Sequence, residues 1–156
     1  MSKPLKFAPR QTFEQILEWT VIPTFDLIIE QAPGKVIIVR RKIAPYADTW
    51  ALPGLRMFKP EGIADTIERV AKQEVGQKIN IESKQLLGQY VGRFQTEHQR
   101  QDLSTAYIVR AETVAINLNK EHFTSYRIIG SASEIPAKTG AMYRYYLERY
   151  FALARP

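Results

Sequence analysis

The apolar residues of this chain change their period between residues 50 and 76, and this change constrains the fold more than any other feature. Trp50 to Pro53 is a short apolar run that ends at Gly54. From Gly62 to Val75 the apolar residues instead recur every three or four positions, as on one face of a helix. Gly76 follows, where a glycine often ends a helix. The sequence therefore predicts a strand, a glycine turn and a helix in succession.

An acidic residue lies on the apolar face of this predicted helix. On a helical wheel, the stripe formed by Ile63, Ile67, Val70 and Ala71 is centred on Glu74. One interpretation is that the carboxylate, one turn from the helix end, bends out to solvent. The other is that it is a metal ligand, because an ionised carboxylate is costly to bury unless a cation or several donors meet it.

The remaining patterns predict strands and helices that alternate loosely. Thr12 followed by Gln15 is the pattern of a capping box. The predicted elements are a helix from Thr12 to Thr20, strands from Val21 to Gln31, Lys35 to Arg41, Gln85 to Gln95, Leu103 to Glu112 and Tyr126 to Ile129, and a helix from Gly140 to Ala154. This order favours an α/β fold with a mixed β-sheet between helices. The length of 156 residues suits one domain, 1–156.

Composition excludes several classes of site. The chain has no cysteine, so disulfide scaffolds, thiolate zinc sites and cysteine nucleophiles are excluded. His98 and His122 are its two histidines, so a histidine acting as a base must be one of them. No apolar stretch is long enough to span a bilayer, and Met1 to Arg10 lacks the apolar core of a secretion signal. We therefore expect a soluble cytoplasmic protein, whose net charge of +6 favours polyanionic ligands.

The segment from Trp50 to Gly76 resembles the Nudix box, in which a strand, a glycine turn and a helix hold Mg²⁺ against a diphosphate. Five positions separate Leu55 from Glu61, seven separate Glu61 from Arg69, and Gly76 falls where the motif ends. Four residues depart from the motif, namely Leu55, Val70, Gln73 and Gln77, so that Glu74 is the one metal-binding glutamate that remains. The resemblance implies a Nudix-like α/β/α sandwich. A single acid supports one Mg²⁺ at most, with Mn²⁺ as an alternative ion.

The pattern is similar to one branch of this family, the GDP-mannose mannosyl hydrolases, from about Phe13 to Arg127. That branch also keeps Arg69 and Glu74 while lacking the acids replaced by Val70 and Gln73. The resemblance implies His122, Arg41 and Arg69 as catalytic residues. It implies Asp26, Arg41, Arg56 and Tyr107 as substrate-binding residues, and the carbonyl of Gly54, Glu74 and Glu121 as metal ligands.

Each of these residues also has a simpler explanation. The arginines Arg41 and Arg56 suit diphosphate oxygens but could be solvated charges. The spacing of Arg69 favours an ion pair with the loop acid Glu61. Histidine as a residue type suits a general base at neutral pH, so His122 could be that base or an ordinary loop histidine. Tyr107 suits a core position as well as a ligand contact. Asp26 has apolar neighbours in the sequence, and an acidic side chain is harder to explain than a tyrosine as part of the core.

Four functions follow as alternatives. The first is Mg²⁺-dependent hydrolysis of a nucleotide sugar of the GDP-mannose type, with water attacking the anomeric carbon. The second is cleavage of the diphosphate of an ADP-ribose-like nucleotide, and the third is nucleotide binding without catalysis. The fourth is nucleic-acid binding through tyrosines and arginines between Tyr143 and Tyr150, which helical packing of half of these tyrosines argues against. The same helix could form a homodimer contact.

Overall fold

The computed structural model describes residues 3–44 and 46–153. Seven strands form one sheet, and the helices lie on its two faces as in an α/β/α sandwich. The elements in chain order are α1 Arg10–Trp19, β1 Ile22–Ala32, β2 Lys35–Arg41, β3 Trp50–Ala51, β4 Gly54–Arg56, α2 Ile63–Val75, β5 Ile79–Arg93, β6 Gln101–Ala111, β7 Phe123–Ile129, a 3₁₀ turn Ala132–Glu134, and α3 Ala141–Ala152. The predicted α/β class and mixed sheet are confirmed.

The sheet is mixed because β1 pairs with one strand in parallel and with others in antiparallel orientation. The main strand order is β3-β2-β1-β6-β5, with β4 paired to β1 and β7 paired to β2. β1 and β6 run parallel, whereas every other pairing is antiparallel. Parallel pairing needs a long crossover connection, and the chain between β1 and β6 supplies one that contains α2. The central strands β1 and β2 each carry a run of fully buried β-branched and aliphatic side chains, which forms the core between the helix layers.

The helix α2 confirms the prediction made from the change of period. It spans Ile63–Val75, and Gly76 ends it in the left-handed conformation with φ of 64°. Its buried face carries Ile67, Val70 and Ala71, and Glu74 lies on that face with 1% of its surface exposed. The glycine therefore ends the helix two residues after the buried carboxylate.

The start of the first helix differs from the prediction. The helix α1 begins at Arg10, after Pro9, and no side chain caps it, so the capping box predicted for Thr12 and Gln15 is wrong. The N–H of Phe13 donates to the carbonyl of Pro9 at 2.9 Å, which closes the first turn two residues earlier. Thr12 consequently lies inside the helix instead of before it.

Two strands also differ from the prediction. β5 begins at Ile79, six residues before Gln85, because irregularities in its pairing with β6 accommodate the polar run that follows Asn80. β4, expected as part of the glycine turn, is a strand that pairs with β1 and places Gly54 opposite Asp26. The C-terminal helix α3 ends at Ala152, and the predicted position Ala154 lies outside the described residues.

Candidate active site

A cavity of about 670 Å³ lies where β1, β4 and the C-terminal end of α2 meet. Its lining carries both charged and aromatic side chains. The charged or polar lining residues are Asp26, Arg41, Arg56, Arg69, Gln73, Glu74, Glu97, Arg100, Asp102, Asn119 and His122. The cavity therefore combines acids, guanidinium groups, two amides and an imidazole beside the glycine turn.

The C-terminal end of α2 positions a histidine beside the buried carboxylate. After Gly76 the chain returns to the same helix end, where the N–H groups of Asn117 and Asn119 donate to the carbonyls of Val75 and Glu74, both at 2.9 Å. A side chain on Gly76 would lie 2.6 Å from the Cβ of Asn117, so this close approach requires glycine. These backbone bonds bring the segment before β7 directly against Glu74.

Three side chains meet at this point. His122 Nδ1 lies 2.8 Å from Glu74 Oε1, and Asn119 Nδ2 donates to the same oxygen at 3.1 Å. Burial raises the pKa of Glu74, and His122, Asn119 and Arg41 partly oppose that increase. The Oε2 atom of Glu74 has no hydrogen-bond partner within residues 3–44 and 46–153. Glu74 thus has one oxygen held by protein donors and a second oxygen left for a ligand.

Arg41 reaches the same place from the neighbouring strand. It pairs in register with Phe123, and the N–H of Lys42 donates to the carbonyl of His122 at 2.7 Å. Arg41 lines the cavity and lowers the pKa of both Glu74 and Asp26 through its charge. The end of β2 and the start of β7 therefore bring a cation and the imidazole together.

Asp26 is a buried acid with a defined network. It is 3% exposed, and its Oδ2 accepts a hydrogen bond from Ser104 Oγ at 2.5 Å. Tyr146 on α3 donates to Ser104 Oγ at 2.9 Å. Burial raises the pKa of Asp26 to about 7, against the lowering effect of Ser104. A Cβ on Gly54 would lie 2.1 Å from Asp26 Oδ1, so Gly54 leaves the space that this carboxylate occupies.

The arginine in the predicted box forms the ion pair that its spacing indicates. Arg69 Nε and Nη2 donate to the two carboxylate oxygens of Glu61 at 2.6 and 2.9 Å, and Nη2 also donates to the carbonyl of Arg56 at 2.7 Å. Burial raises the pKa of Glu61, but the hydrogen bonds from Arg69, the Phe58 N–H and Thr66 outweigh it and lower that pKa overall. Arg69 therefore holds the loop between β4 and α2, although its side chain also reaches the cavity wall.

Arg56 is held by aromatic rings. Its guanidinium lies 3.9 Å from the ring centre of Phe13 and 4.8 Å from that of Phe58. Burial, together with the charges of Arg100 and Arg69, lowers the pKa of Arg56. The guanidinium contacts both rings and also lines the cavity, where its N–H groups can donate to an anionic oxygen.

Two residues that the resemblance implies do not line this cavity. Tyr107 follows the opposite alternation from Ser104 and Ala106 on β6, and its ring packs edge-on against Phe25 at 5.7 Å. Glu121 is exposed, and its N–H donates to Asn119 Oδ1 at 3.1 Å. The strand alternation turns Tyr107 away from Asp26, and the turn at residues 119–122 presents Asn119 to Glu74 where Glu121 was expected.

Sequence reasoning missed several residues of the cavity. Asn119, Arg100, Asp102 and Tyr143 line it. Asn119 lies in the same short segment as His122, three residues before it, and this spacing was an available signal for a turn. Arg100 and Asp102 form an ion pair at 2.7 Å, and neither carries a sequence signal that distinguishes it from a surface charge.

The donor set suits at most one divalent cation. Across the described ranges, no group of three or more histidine and acidic side chains lies close enough to hold a metal ion. One buried carboxylate with an available oxygen, in a cavity that Gly54 also lines, nevertheless fits Mg²⁺, which often takes one or two carboxylates and completes its shell with water and substrate phosphates. The residues therefore fit one ion and do not fit a cluster of ions.

The fold and this strand, glycine turn and helix define a Nudix domain. The family model for the NUDIX domain matches residues 21–149, and the chain belongs to the Nudix hydrolase family. The solved structures that it resembles include the MutT NUDIX hydrolase of Burkholderia pseudomallei, with a TM-score of 0.74 and 18% identity, covering 83% of this chain and 98% of that one. The fold predicted from the resemblance is thus confirmed.

Two further proteins are similar to this chain, one in sequence and one in fold. The chain is 28% identical over 125 residues to the low-salt glycan biosynthesis protein Agl8 of Haloferax volcanii, covering 77% of this chain and 78% of the relative. A bifunctional NMN adenylyltransferase/ADP ribose pyrophosphatase of Francisella tularensis, solved with AMP and a Mn ion, is similar in fold. It has a TM-score of 0.67 and 18% identity, covering 90% of this chain and 44% of that one.

Within residues 3–44 and 46–153, none of the helices has the length and apolar character that crossing a membrane requires.

Proposed function

We propose that the protein is a Mg²⁺-dependent hydrolase of nucleoside diphosphate sugars of the GDP-mannose type. Water attacks the anomeric carbon, and the products are a nucleoside diphosphate and a sugar. The observation that carries this proposal is the 2.8 Å contact between His122 and a single buried glutamate, Glu74, on the wall of a cavity that Arg41 and Arg56 also line.

This contact suits His122 to the role of general base. An ionised carboxylate accepts hydrogen bonds and donates none, so with Glu74 ionised the proton of the neutral imidazole lies on Nδ1. The Nε2 atom is then the ring nitrogen that can accept a proton from water. Hydrogen bonding to a carboxylate also stabilises the imidazolium that forms. We therefore assign proton removal from the attacking water to His122.

The leaving diphosphate is negatively charged, and cations of the cavity match it. Arg41 and Arg56 line the wall, and a guanidinium can donate to two phosphate oxygens at once. We propose that Glu74 and the carbonyl of Gly54 hold one Mg²⁺ or Mn²⁺, which supplies further positive charge to the departing diphosphate when bound. We favour the side chain of Asn119 over that of Glu121 near this ion, because Asn119 lines the cavity.

Attack at carbon agrees with the small number of acids. Hydrolysis at phosphorus in this family draws on several metal ions, and several cations need several carboxylates to offset their mutual repulsion. Here Val70 and Gln73 occupy two positions of the box where acids are expected, and Glu74 stands alone on the buried face of α2. A single ion that assists a leaving group is consistent with this donor set.

The second candidate is cleavage of the diphosphate of an ADP-ribose-like nucleotide. Its support is the similar fold of the ADP ribose pyrophosphatase from Francisella tularensis. A third candidate, nucleotide binding without catalysis, is supported by the loss of box acids.

Hydrolysis in ¹⁸O-labelled water separates these candidates. GDP-mannose, ADP-ribose and UDP-glucose would be incubated with the protein and Mg²⁺, and the products analysed by mass spectrometry. We expect the label in the sugar. Label in a phosphate product would replace the first candidate by the second, and absence of turnover with every nucleotide together with measurable binding would favour the third.

A further inference from the structure

A buried hydrogen-bond network connects the C-terminal helix α3 to the acid Asp26 on β1. Tyr146 on α3 and Ser104 on β6 are both fully buried. The Tyr146 hydroxyl lies 2.9 Å from Ser104 Oγ and 3.1 Å from the Ser104 carbonyl oxygen, and Ser104 Oγ lies 2.5 Å from Asp26 Oδ2. The network therefore joins three elements that are far apart in the sequence.

The direction of these hydrogen bonds follows from the carboxylate at one end. An ionised carboxylate accepts hydrogen bonds and donates none, so Ser104 Oγ donates its proton to Asp26 Oδ2. The lone pairs of Ser104 Oγ then accept the proton of Tyr146. Hydrogen bonds in such a series polarise one another, so the Tyr146 hydroxyl strengthens the bond between Ser104 and Asp26.

The second oxygen of Asp26 is left for a ligand. Asp26 lines the cavity, and its Oδ1 has no hydrogen-bond partner among residues 3–44 and 46–153. Asp26 also pairs in register with Gly54, whose carbonyl we propose as a metal ligand. In a nucleotide sugar, the group attached to the metal-held diphosphate is the sugar, and its hydroxyls can donate to a carboxylate oxygen.

A second pair of residues shows the same type of contact away from the cavity. Glu30 follows Asp26 by four residues on β1, and Tyr150 follows Tyr146 by four residues on α3. The Tyr150 hydroxyl donates to Glu30 Oε2, and both residues are buried and do not line the cavity. Packing of α3 on the sheet thus explains a buried contact between a tyrosine and an acid. The Tyr146 network differs because it ends on an acid of the cavity.

We propose that Tyr146 and Ser104 are positioning residues, which hold Asp26 by Oδ2 so that Oδ1 accepts a hydrogen bond from a hydroxyl of the sugar. Neither residue lines the cavity, so both act through Asp26. This inference rests on the proposed function, since it assumes a nucleotide sugar as the ligand.

The test measures the binding of GDP-mannose and GDP by calorimetry with Mg²⁺. The protein carries His122→Gln, which slows turnover during the measurement. Each of Tyr146→Phe and Ser104→Ala, added to this protein, should raise the Kd of GDP-mannose about threefold to tenfold, the usual scale for one hydrogen bond. The Kd of GDP should stay within twofold, because GDP lacks the sugar on its diphosphate.

Combining the two substitutions tests whether Tyr146 acts through Ser104. In the Ser104→Ala protein, we expect Tyr146→Phe to change the Kd of GDP-mannose no further, because the hydroxyl that connects Tyr146 to Asp26 is already absent. Two independent structural effects would instead add.

Tyr150→Phe is the matched control. It removes an equally buried tyrosine hydroxyl from the same helix, and that hydroxyl contacts Glu30 instead of the network. We expect it to change neither Kd. Thermal unfolding of each variant checks that the fold is retained. Should Ser104→Ala fail to fold, Tyr146→Phe decides alone, because it keeps the buried ring.

The outcomes distinguish this inference from the proposed function. An unchanged Kd of GDP-mannose in Tyr146→Phe, an equal loss for GDP, an equal loss in Tyr150→Phe, or additive losses in the double variant each overturn the positioning role. All four leave the proposed function standing. Failure of the wild-type protein to bind GDP-mannose overturns both.

Discussion

Burial decides what each acidic residue of the cavity can do. Glu74 and Asp26 are 1% and 3% exposed, and each accepts hydrogen bonds from neighbouring side chains. Glu121 is exposed, and the structure gives its carboxylate no contact with the cavity. Asp102 lines the cavity too and is 8% exposed, with a pKa raised by burial. The buried acids are therefore the ones whose ionisation is coupled to folding.

Replacement of the proposed base tests the role of His122. In His122→Gln the amide can still hydrogen-bond to Glu74, but it cannot accept a proton from water at neutral pH. We expect kcat to fall by about 10² to 10⁴ while the Kd of GDP stays nearly unchanged. Steady-state kinetics and calorimetry measure the two quantities.

His98→Gln is the matched control. His98 lies 3.4 Å from Glu18 and does not line the cavity, so we expect its replacement to leave kcat unchanged. Should His98→Gln abolish turnover while His122→Gln retains it, His98 would be the base instead.

The raised pKa of Asp26 predicts a pH-dependent gain in stability for Asp26→Asn. Burial raises that pKa from 3.8 to about 7, so between about pH 4 and 7 the folded protein binds the proton more tightly than the unfolded chain. Stability contributed by this group therefore falls as pH rises through that window, and the full penalty is present above pH 7. Removing the charge should stabilise the protein by on the order of 2–4 kcal/mol at pH 8.

Thermal unfolding at pH 5 and pH 8 measures this effect, at roughly 2–4 °C in Tm per kcal/mol. Ser104 Oγ can donate to the amide oxygen of an asparagine as it does to Asp26, so the network survives the substitution. Glu121→Gln makes the same change at an exposed acid and should shift Tm little at either pH. A Tm gain for Asp26→Asn that is equal at both pH values would show that ionisation is not its cause.

At the scale of elements, one glycine joins a helix end to the segment that carries Asn119 and His122. Gly76 has a φ of 64°, and its Cα faces the Cβ of Asn117. The chain leaves α2 there and returns at residues 117–119 to bond the last carbonyls of the helix. The geometry of Glu74 and His122 is thus set by a helix end and the segment that caps it.

Gly76→Ala should disturb stability and turnover together. The left-handed conformation costs a non-glycine residue roughly 1–2 kcal/mol, and the 2.6 Å contact with Asn117 adds to that cost. The segment that carries Asn119 and His122 must shift to relieve the contact. We expect a lower Tm and a kcat reduced by about tenfold or more, since small misplacements of catalytic groups are costly.

Gly62→Ala at the other end of the same helix is the matched control. Its φ is −89°, and a Cβ there meets Asp65 at an ordinary 3.4 Å. We expect this variant to keep its kcat. Equal loss of turnover in the two variants would show that α2 as a whole, and not the segment after Gly76, controls the site.

At the scale of the whole molecule, basic residues outnumber acidic ones. The chain carries 22 lysines and arginines against 16 acids, for a formal net charge of +6. In the cavity, Arg41 and Arg56 supply positive charge near a single metal-ligand candidate, Glu74. A protein of this net charge attracts polyanionic ligands.

Removal of divalent ions should abolish turnover, and one ion per chain should restore it. After treatment with EDTA and dialysis, we expect activity to return with Mg²⁺ along a non-cooperative curve, and Mn²⁺ to substitute. Calorimetry with Mg²⁺ and GDP should give a stoichiometry of one ion per protein and nucleotide. Glu74→Gln should weaken the activation by Mg²⁺ by at least tenfold, because it removes the one buried charge on α2.

Full activity in EDTA would refute the metal requirement. Activation that requires two ions would instead favour cleavage at phosphorus, since that reaction uses a cluster. Glu121→Gln provides the control for Glu74→Gln, and we expect it to retain the wild-type response to Mg²⁺.

Local sequence patterns by themselves determine the helix α2 and the ion pair at its start. The helix from Ile63 to Val75, its end at Gly76 and the position of Glu74 on the apolar face follow from apolar period and glycine conformation, which depend on neighbours within a few residues. Only the structure shows that the Glu74 side chain stays buried there. The ion pair between Arg69 and Glu61 also follows from spacing within one segment. These features were predicted because the interactions that cause them are local in the chain.

The tertiary structure decided which distant residues meet. The sequence does not predict that Asn119, and not Glu121, contacts Glu74. Nor does it predict that Tyr107 points away from the cavity or that Phe7 forms part of the cavity wall. Those placements depend on the register of β1 with β6 and on backbone bonds between segments far apart in the chain. A shift of one residue in a strand reverses the direction of its side chains. Which side chains line the cavity therefore depends on the register of the whole sheet, which no local pattern determines.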